Sequence, residues 1–231
     1  MVTAPYGPLL IETAGIRADM RVLDVGSGPG HISAQLAETG AQVTGVDIAP
    51  QMVSAAQEHF PEVEFHEANA ESLPFDDRTF DAVTCCYTVH HFARPELAFR
   101  EFLRALKPGG RFVFVHTLAM EFAGPVFTAI DTHHTLDDLT HGPLFGAEDP
   151  NLFRSVIDSA GFGKCSLEER VVPYRTASYD ALMEGFRIFM SLPDDTWDKI
   201  RGASLENVEA YRDGDEFVFN NRVLLGVATA P

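Results

Sequence analysis

Three glycines and two acids near the start of the chain have the types and spacing of a ligand-binding turn. Gly26, Gly28 and Gly30 follow an apolar run, and Asp47 lies in a second apolar run, at 43–48. Glycine tolerates positive φ and lets backbone N–H groups approach a ligand closely. The helix expected after the turn adds unpaired N–H groups and the positive end of its dipole. Asp47 can accept hydrogen bonds from two ribose hydroxyls, so the pattern predicts a nucleoside-containing cofactor.

The glycine spacing and the acid before it narrow the choice of cofactor. A dinucleotide-binding turn has the pattern G-x-G-x-x-G, whereas this chain has G-x-G-x-G preceded by Asp24. An acid at a strand end repels a pyrophosphate, because like charges repel. It suits the ammonium group and the sulfonium centre of S-adenosylmethionine. A nicotinamide oxidoreductase is therefore disfavoured.

Four segments of the first half carry a more specific signal. They read VLDVGSGPG at 22–30, VDIAPQM at 46–52, ANAESLPFDDRTFDAV at 68–83 and LKPGGRFVFV at 106–115. In this order they resemble the class I S-adenosylmethionine-dependent methyltransferases. The nearest resemblance is to the branch related to ubiquinone- and menaquinone-biosynthesis methyltransferases, which also contains many natural-product methyltransferases.

The resemblance implies which residues surround S-adenosyl-L-methionine. The glycine turn and Asp24 would lie by its methionine portion, and Asp47 would hold its ribose. Ile48 would pack on the adenine, and Asn69 and Ala70 would contact the adenine edge. The family most often has Asp where this chain has Asn69, whose carbonyl oxygen can still accept a hydrogen bond. The predicted cofactor site is Asp24, Gly26, Ser27, Gly28, Gly30, Asp47, Ile48, Met52, Asn69, Ala70 and Glu71.

Composition limits the classes of protein that the chain can represent. With 231 residues, 45% hydrophobic, it can form one sizeable α/β domain with an elaboration. A net charge of −17 argues against nucleic acid and an anionic membrane surface as partners. The three cysteines form no disulfide framework. Without a signal-peptide pattern or an apolar run near the ~20 residues that span a bilayer, we expect a cytoplasmic protein.

Strand and helix signals alternate through the first half, which predicts a parallel sheet covered on both faces. The resemblance implies a Rossmann-like class I methyltransferase fold with a seven-stranded, mostly parallel sheet whose last strand is antiparallel. We place strands at Phe80–Cys85, Arg111–Thr117, about Lys164–Val172 and Glu216–Ala228. We also place a helix near Asn151–Ala160 that ends at Gly161, a helix with Ser178 as its N-cap, and a further helix that carries Trp197 and Tyr211. Residues 1–231 are predicted to form one domain, with a helical cap from insertions at 118–147 and 178–212. The N-terminal arm before the first strand is short, so two alternatives stay open: the lid over the acceptor pocket is thin on that side, or a second subunit of a homodimer completes it.

The chemistry of methyl transfer sets what catalytic residues to expect. An in-line displacement with a neutral leaving sulfide needs mainly proximity, orientation and desolvation. A general base is needed only if the acceptor must lose a proton. His90 and His91, after the fourth strand, are the candidate bases, with a loop-structural role as the alternative. We expect His116 to be a core histidine, and Cys85 and Cys86 to serve packing.

The acceptor pocket is expected under the cap. The cap aromatic residues as a set favour an apolar or aromatic small molecule, although each residue alone also fits a core position. The candidate acceptor contacts are Tyr6, Tyr87, Phe122, His133, His134 and Phe186, and the other cap aromatics are Phe127, Phe145, Tyr174, Phe189 and Trp197. The histidines at 133, 134 and 141 fit no zinc spacing, so no metal is predicted.

The sequence therefore predicts transfer of a methyl group from S-adenosylmethionine to O, N or C of a hydrophobic or aromatic small molecule. A second function stays open, because some proteins of this fold catalyse a cyclisation or rearrangement without transferring the methyl group.

Overall fold

The computed structural model describes residues 3–119, 121–125, 129, 143–144, 146–179, 183 and 194–231. Six α-helices have both ends in these ranges: α1 Tyr6–Ala14, α2 His31–Ala37, α3 Pro50–His59, α4 Pro95–Ala105, α5 Pro150–Ala160 and α6 Asp194–Val208. The strands are β1 Arg21–Val25, β2 Gln42–Asp47, β3 Glu64–Glu67, β4 Phe80–Cys86, β5 Leu106–Ala119, β6 Lys164–Thr176, β7 Arg212–Asp213 and β8 Glu216–Thr229. No helix in these ranges is long and apolar enough to cross a bilayer.

The strands form one sheet in the order β3-β2-β1-β4-β5-β8-β6. The first five strands pair in parallel, and β8 lies antiparallel between β5 and β6. This confirms the predicted α/β fold and its antiparallel last strand. In the part of the chain that the structure describes, the sheet has eight strands rather than seven, because β7, followed by a turn at Gly214 with φ +63°, pairs with the start of β8.

Local sequence signals explain where several helices begin and end. Pro50 and Pro95 occupy the first helical positions of α3 and α4, where a missing N–H costs nothing. Asp149 caps α5 by accepting a 2.9 Å hydrogen bond from the Asn151 N–H, and Gly161 ends it in a left-handed conformation. These residues define α5 as the sequence predicted.

Two strands are longer than the sequence indicated. The strand β5 begins at Leu106, before the Pro-Gly-Gly segment, and pairs with Phe80 of β4 before a register shift. The strand β6 runs to Thr176 because it pairs with β8 along its whole length. The helix predicted to start at Ser178 lies largely outside the described residues. The next predicted helix is confirmed as α6, and Tyr211 follows it in a 3-10 turn.

Apolar side chains form three clusters. Alternation along β5 sends Phe112 and Phe114 to one face of the sheet and Val113 and Val115 to the other. A third cluster joins α6 to the ends of β6 and β8, and it contains Tyr174, Trp197, Ile200, Phe217 and Phe219. Tyr174 and Trp197 are thus buried in a local core, which fits their packing alternative. The single domain, the cap and the homodimer stay predictions.

The sheet order fixes where a ligand can bind. The chain runs outward from β1 to β2 and β3 on one side and through β4 and β5 on the other. Ligands of open α/β sheets bind at the carboxyl ends of the strands where this order reverses. The crevice at the ends of β1 and β4 is therefore the place to look for a site.

Candidate active site

The turn between β1 and α2 lies in this crevice. Gly26, Gly28 and Gly30 all adopt positive φ, at +68°, +53° and +88°. The N–H groups of Gly26 and Ser27 donate to the carbonyl oxygen of Val46 at 2.8 and 3.0 Å, which ties the turn to β2. The turn therefore depends on glycine at each of these three positions.

The three glycines differ in what surrounds them. A Cβ on Gly26 would come within 2.1 Å of the Thr88 side chain, and one on Gly30 would come within 2.8 Å of Phe65. A Cβ on Gly28 would meet nothing within 4 Å. Gly26 and Gly30 thus allow close internal packing, whereas Gly28 faces open space where a ligand fits.

Asp47 lies directly beside Gly28. Its Oδ2 atom accepts a 2.9 Å hydrogen bond from the Gly28 N–H, and its Oδ1 atom accepts one of 2.9 Å from the Ala49 N–H. A carboxylate oxygen can accept more than one hydrogen bond, so both atoms can still receive ribose hydroxyls. The neighbouring Ile48 is 67% exposed, so its apolar side chain is available for packing against a base.

Asp24 lies under the turn and is 1% exposed. The Ser33 hydroxyl donates to it at 2.6 Å and the Thr84 hydroxyl at 2.9 Å. Burial raises the pKa of Asp24 to about 6, although both hydrogen bonds oppose the rise. At neutral pH the carboxylate is largely ionised, and its negative charge beneath the turn suits a cationic ligand.

Polar atoms around the turn include one that lacks a partner. The buried Ser27 hydroxyl oxygen has no hydrogen-bond partner in the part of the chain that the structure describes. Because buried polar groups are nearly always paired, this hydroxyl is suited to a ligand group. The open face of Gly28, the Asp47 carboxylate and Ser27 together fit the methionine and ribose parts of S-adenosylmethionine.

The residues predicted around the adenine lie in the loop after β3. The Asn69 Oδ1 atom accepts a 2.9 Å hydrogen bond from the Glu71 N–H, and its second lone pair stays available. The Glu71 carboxylate accepts from the Arg94 N–H and Nε at 2.8 Å, so it braces the start of α4. Ala70 is buried and Met52 is half-buried in the first turn of α3.

Two tyrosines meet where β4 ends. The hydroxyl oxygens of Tyr6 and Tyr87 are 2.5 Å apart and share a hydrogen bond, and their rings are 4.8 Å apart. Tyr87 has φ +57°, which is rare for a residue with a side chain. The next residue, Thr88, donates from its hydroxyl to the Gly26 carbonyl oxygen at 3.2 Å. The tyrosine pair is therefore joined to the glycine turn.

Both tyrosines are neutral phenols at physiological pH. Burial raises the pKa of Tyr6 to about 12 and raises the pKa of Tyr87 further. They can therefore donate and accept hydrogen bonds but do not act as bases. Of the other predicted acceptor contacts, His133, His134 and Phe186 and the Phe122 side chain lie outside what the structure describes.

The candidate bases, His90 and His91, follow the end of β4, and His90 lies on the face of the sheet opposite to the tyrosine pair. His90 is 6% exposed and His91 is exposed, and their rings are 4.2 Å apart. The ring of His90 is 5.3 Å from that of His116, a buried residue of β5 whose Nε2–H donates to the Ala147 carbonyl oxygen at 3.0 Å. Burial lowers the pKa of His116 to about 4, so it is a neutral core histidine.

The two cysteines at the end of β4 have the environment of packing residues. Cys85 and Cys86 are buried, and Cys85 donates through its thiol to the Val25 carbonyl oxygen at 3.1 Å. Burial raises the pKa of both thiols well above the ordinary value. Both therefore remain thiols at neutral pH, and a thiol is a poor nucleophile.

Several residues of this site lie outside the sequence motifs and were not predicted. Ser33 and Thr84 hold Asp24, and Thr88 fills the space over Gly26. The two threonines contact residues that are 60 or more positions away in the sequence. For Ser33 a local signal exists in retrospect, because it is a small polar residue on the buried face of α2, beside Ile32 and Leu36.

The comparisons with known proteins concern the family and the fold of the chain. A family model described as a methyltransferase domain matches residues 23–114. YcgJ of Bacillus subtilis, described as an uncharacterized methyltransferase, is 40% identical over 139 residues, which cover 58% of this chain and 54% of that protein. The crystal structure of YcgJ superposes with a TM-score of 0.64 and 26% identity, covering 97% of each chain.

Two further relatives widen the comparison. The demethylmenaquinone methyltransferase of Chlorobaculum tepidum is 43% identical over 91 residues, or 39% of this chain and 38% of that protein. Phosphoethanolamine N-methyltransferase 2 of Haemonchus contortus, solved with S-adenosyl-L-methionine, shares the fold at 18% identity. Its TM-score is 0.64, over 97% of this chain and 52% of that one. In sequence, the chain matches about half or less of the length of these curated relatives.

The fold is that of the class I S-adenosylmethionine-dependent methyltransferases, and S-adenosylmethionine is the cofactor of that class. Residues 23–114 of this chain match the methyltransferase-domain family, in agreement with the resemblance found in the sequence. The roles of the individual residues stay predictions, and the geometry above is what supports them.

Proposed function

We propose that this protein transfers the methyl group of S-adenosylmethionine to an apolar small molecule, at O, N or C. The observation that carries the proposal is the junction of Gly28 and Asp47. An open glycine face, an acid with free lone pairs and the exposed Ile48 side chain meet at the edge where β1 and β2 end. This arrangement suits a nucleoside with a cationic tail.

The residues of the chain would act mainly by binding and orientation. The bound cofactor supplies an electrophilic methyl group on a sulfonium centre. Asp47 would fix the ribose, and the Gly28 backbone would bring the methionine portion close to the turn. Asp24 would hold a negative charge beneath it. Alignment of the methyl group with the acceptor, in a site shielded from water, is sufficient for such a displacement.

His90 is the residue that we propose as a base if the acceptor carries a proton. It lies on the 3-10 turn directly after β4, the same strand end that holds the tyrosine pair. A histidine suits proton transfer near neutral pH. The two tyrosines are excluded from this role, because burial raises the pKa of Tyr6 to about 12 and that of Tyr87 above it.

The experiment that tests the function follows the methyl group. The purified protein is incubated with methyl-labelled S-adenosylmethionine and a pool of apolar metabolites, and the products are separated by mass. We expect S-adenosylhomocysteine and a labelled product in equal amounts, and both should decrease in parallel in Asp47→Ala at a limiting cofactor concentration. A converted product without S-adenosylhomocysteine would instead support cyclisation or rearrangement, and absence of any conversion would contradict the proposal.

A further inference from the structure

A group of uncharged polar side chains lies buried beside the tyrosine pair. Asn221 of β8 is 0% exposed, and neither its amide nitrogen nor its carbonyl oxygen has a hydrogen-bond partner in the described part of the chain. The hydroxyl oxygen of Thr117, on the adjacent strand β5, is also buried and without a partner there. Nearly all buried polar groups in proteins are paired, so these three atoms need an explanation.

The sheet register brings these side chains together. Thr117 pairs with Val223, and Asn221 precedes Val223 by two residues, so Asn221 and Val223 share a face of β8. That face carries Val223 into the cluster that contains Tyr6. Burial raises the pKa of both tyrosines, and a hydrogen-bonding approach of Asn221 to Tyr6 and of Thr117 to Tyr87 opposes that rise. Neither approach has the geometry of a full hydrogen bond, so the Asn221 and Thr117 atoms keep their bonding capacity while each lies beside one tyrosine of the pair.

The group lies at the edge where the methyl donor would bind. Tyr87 directly follows β4, and its neighbour Thr88 bonds to the first glycine of the turn. Thr117 lies near the carboxyl end of β5, at the same edge of the sheet. A ligand group that entered here would be next to the turn. The His90–His116 pair lies on the opposite face of the sheet, so the oxygen bound here is not the one that would lose a proton to His90.

We propose that Asn221 and Thr117, with Tyr6 and Tyr87, form a polar subsite that binds an uncharged hydroxyl or carbonyl oxygen of the acceptor. This inference rests on the proposed function and narrows its substrate class. The Asn221 amide offers one donor group and one acceptor oxygen, and the hydroxyl groups of the other three residues can each donate or accept a hydrogen bond. The four side chains are uncharged at neutral pH, so a carboxylate or phosphate buried among them would have no opposite charge to offset its desolvation.

The subsite is tested by affinity for three ligands with one apolar frame. We would measure binding of 2-naphthol, 2-methylnaphthalene and 2-naphthoate to the complex with S-adenosylhomocysteine. The first two have nearly the same shape and differ in one hydroxyl group. We expect 2-naphthol to bind about 10-fold or more tightly than either of the others, because an unpaired buried donor or acceptor loses affinity on that scale.

Three variants separate a ligand-binding role from a structural one. Asn221→Leu and Thr117→Val should each reduce the preference for 2-naphthol by about 10-fold without changing the affinity for S-adenosylhomocysteine. Thr117→Val replaces one hydroxyl group by a methyl group of similar size. It therefore tests the subsite even if Asn221→Leu does not fold. Asn220→Leu, the same change at the exposed neighbouring position, should leave the preference intact.

The results that would overturn the subsite are distinct from failure of the proposed function. If 2-naphthol binds no better than 2-methylnaphthalene, including the case in which neither binds, the subsite is wrong. It is also wrong if Asn221→Leu or, should that variant not fold, Thr117→Val keeps the preference. Absence of S-adenosylhomocysteine binding to the wild-type protein would instead reject the function on which the subsite rests.

Discussion

The backbone N–H of Gly28 donates a 2.9 Å hydrogen bond to the Oδ2 atom of Asp47, 19 residues further along the chain. This bond joins the glycine turn after β1 to the acid at the end of β2. It holds the carboxylate beside the one glycine of the turn that faces open space. The binding edge is therefore ordered within the protein itself, which lowers the entropy that a ligand must lose on binding.

Replacement of Asp47 tests the ribose contact. Asp47→Ala should weaken S-adenosylhomocysteine binding by about 1–3 kcal/mol, or roughly 5- to 150-fold, because hydrogen bonds to a charged acceptor are lost. Calorimetric titration measures the change. Glu58→Ala, which removes an exposed acid from α3, is the matched control and should bind like the wild type. Equal affinity of Asp47→Ala and the control would remove Asp47 from the site.

The glycines of the turn should separate ligand contact from packing. Gly28→Ala places a methyl group in open space, and the positive φ costs about 1–2 kcal/mol of stability. Gly26→Ala has the same backbone cost, and its new methyl group also collides with Thr88. It should therefore be about 1–3 kcal/mol less stable than Gly28→Ala. Urea unfolding gives the stabilities, and titration should show that Gly28→Ala loses cofactor affinity. Wild-type affinity in Gly28→Ala would mean that the ligand does not approach this face.

Asp24 predicts a dependence of stability on pH. Its pKa in the folded protein is about 6, above the ordinary 3.8, so the folded state keeps a proton that the unfolded chain has already lost. The stabilising contribution is present in full below pH 4 and is lost as the pH rises through 6. Relative to Asp24→Asn, the wild type should lose about 1–2 kcal/mol between pH 5 and 7.5. A constant difference between the two proteins over this range would contradict the raised pKa.

Removal of the imidazole of His90 tests its role as a base. His90→Ala should lower the methyl-transfer rate by about 100-fold or more if the acceptor loses a proton to it, with no change in S-adenosylhomocysteine affinity. His59→Ala, an exposed histidine of α3, provides the control for a lost imidazole. If His90→Ala turns over like this control, orientation alone accounts for the reaction.

The turn and the strands were predictable because their signals are local. Gly26 and Gly28 directly follow one short apolar strand, Asp47 ends the next, and the two strands pair as neighbours in the sheet. The same segment did not reveal that Gly28 faces open space while Gly30 packs on Phe65, because that depends on where α3 and β3 pack. Sequence motifs thus indicated the turn but not the separate roles within it.

Contacts between distant residues account for what the sequence did not predict. Tyr6 and Tyr87 are 81 residues apart, and only the packing of α1 against the sheet brings their hydroxyls together. The two-residue strand β7 is too short to have a period, and β5 continues through Pro108 because a register shift absorbs the irregularity. Asn221 lies in an ordinary alternating strand, so its unpaired amide emerges only from the sheet register.

The most direct measurement is a calorimetric titration of the wild-type protein with S-adenosylhomocysteine and, separately, with NAD⁺. If the edge formed by the glycine turn and Asp47 is a methyl-donor site, S-adenosylhomocysteine should bind with one molecule per chain and NAD⁺ should give no binding heat. Binding of NAD⁺ in place of S-adenosylhomocysteine, or binding of neither, would contradict the account.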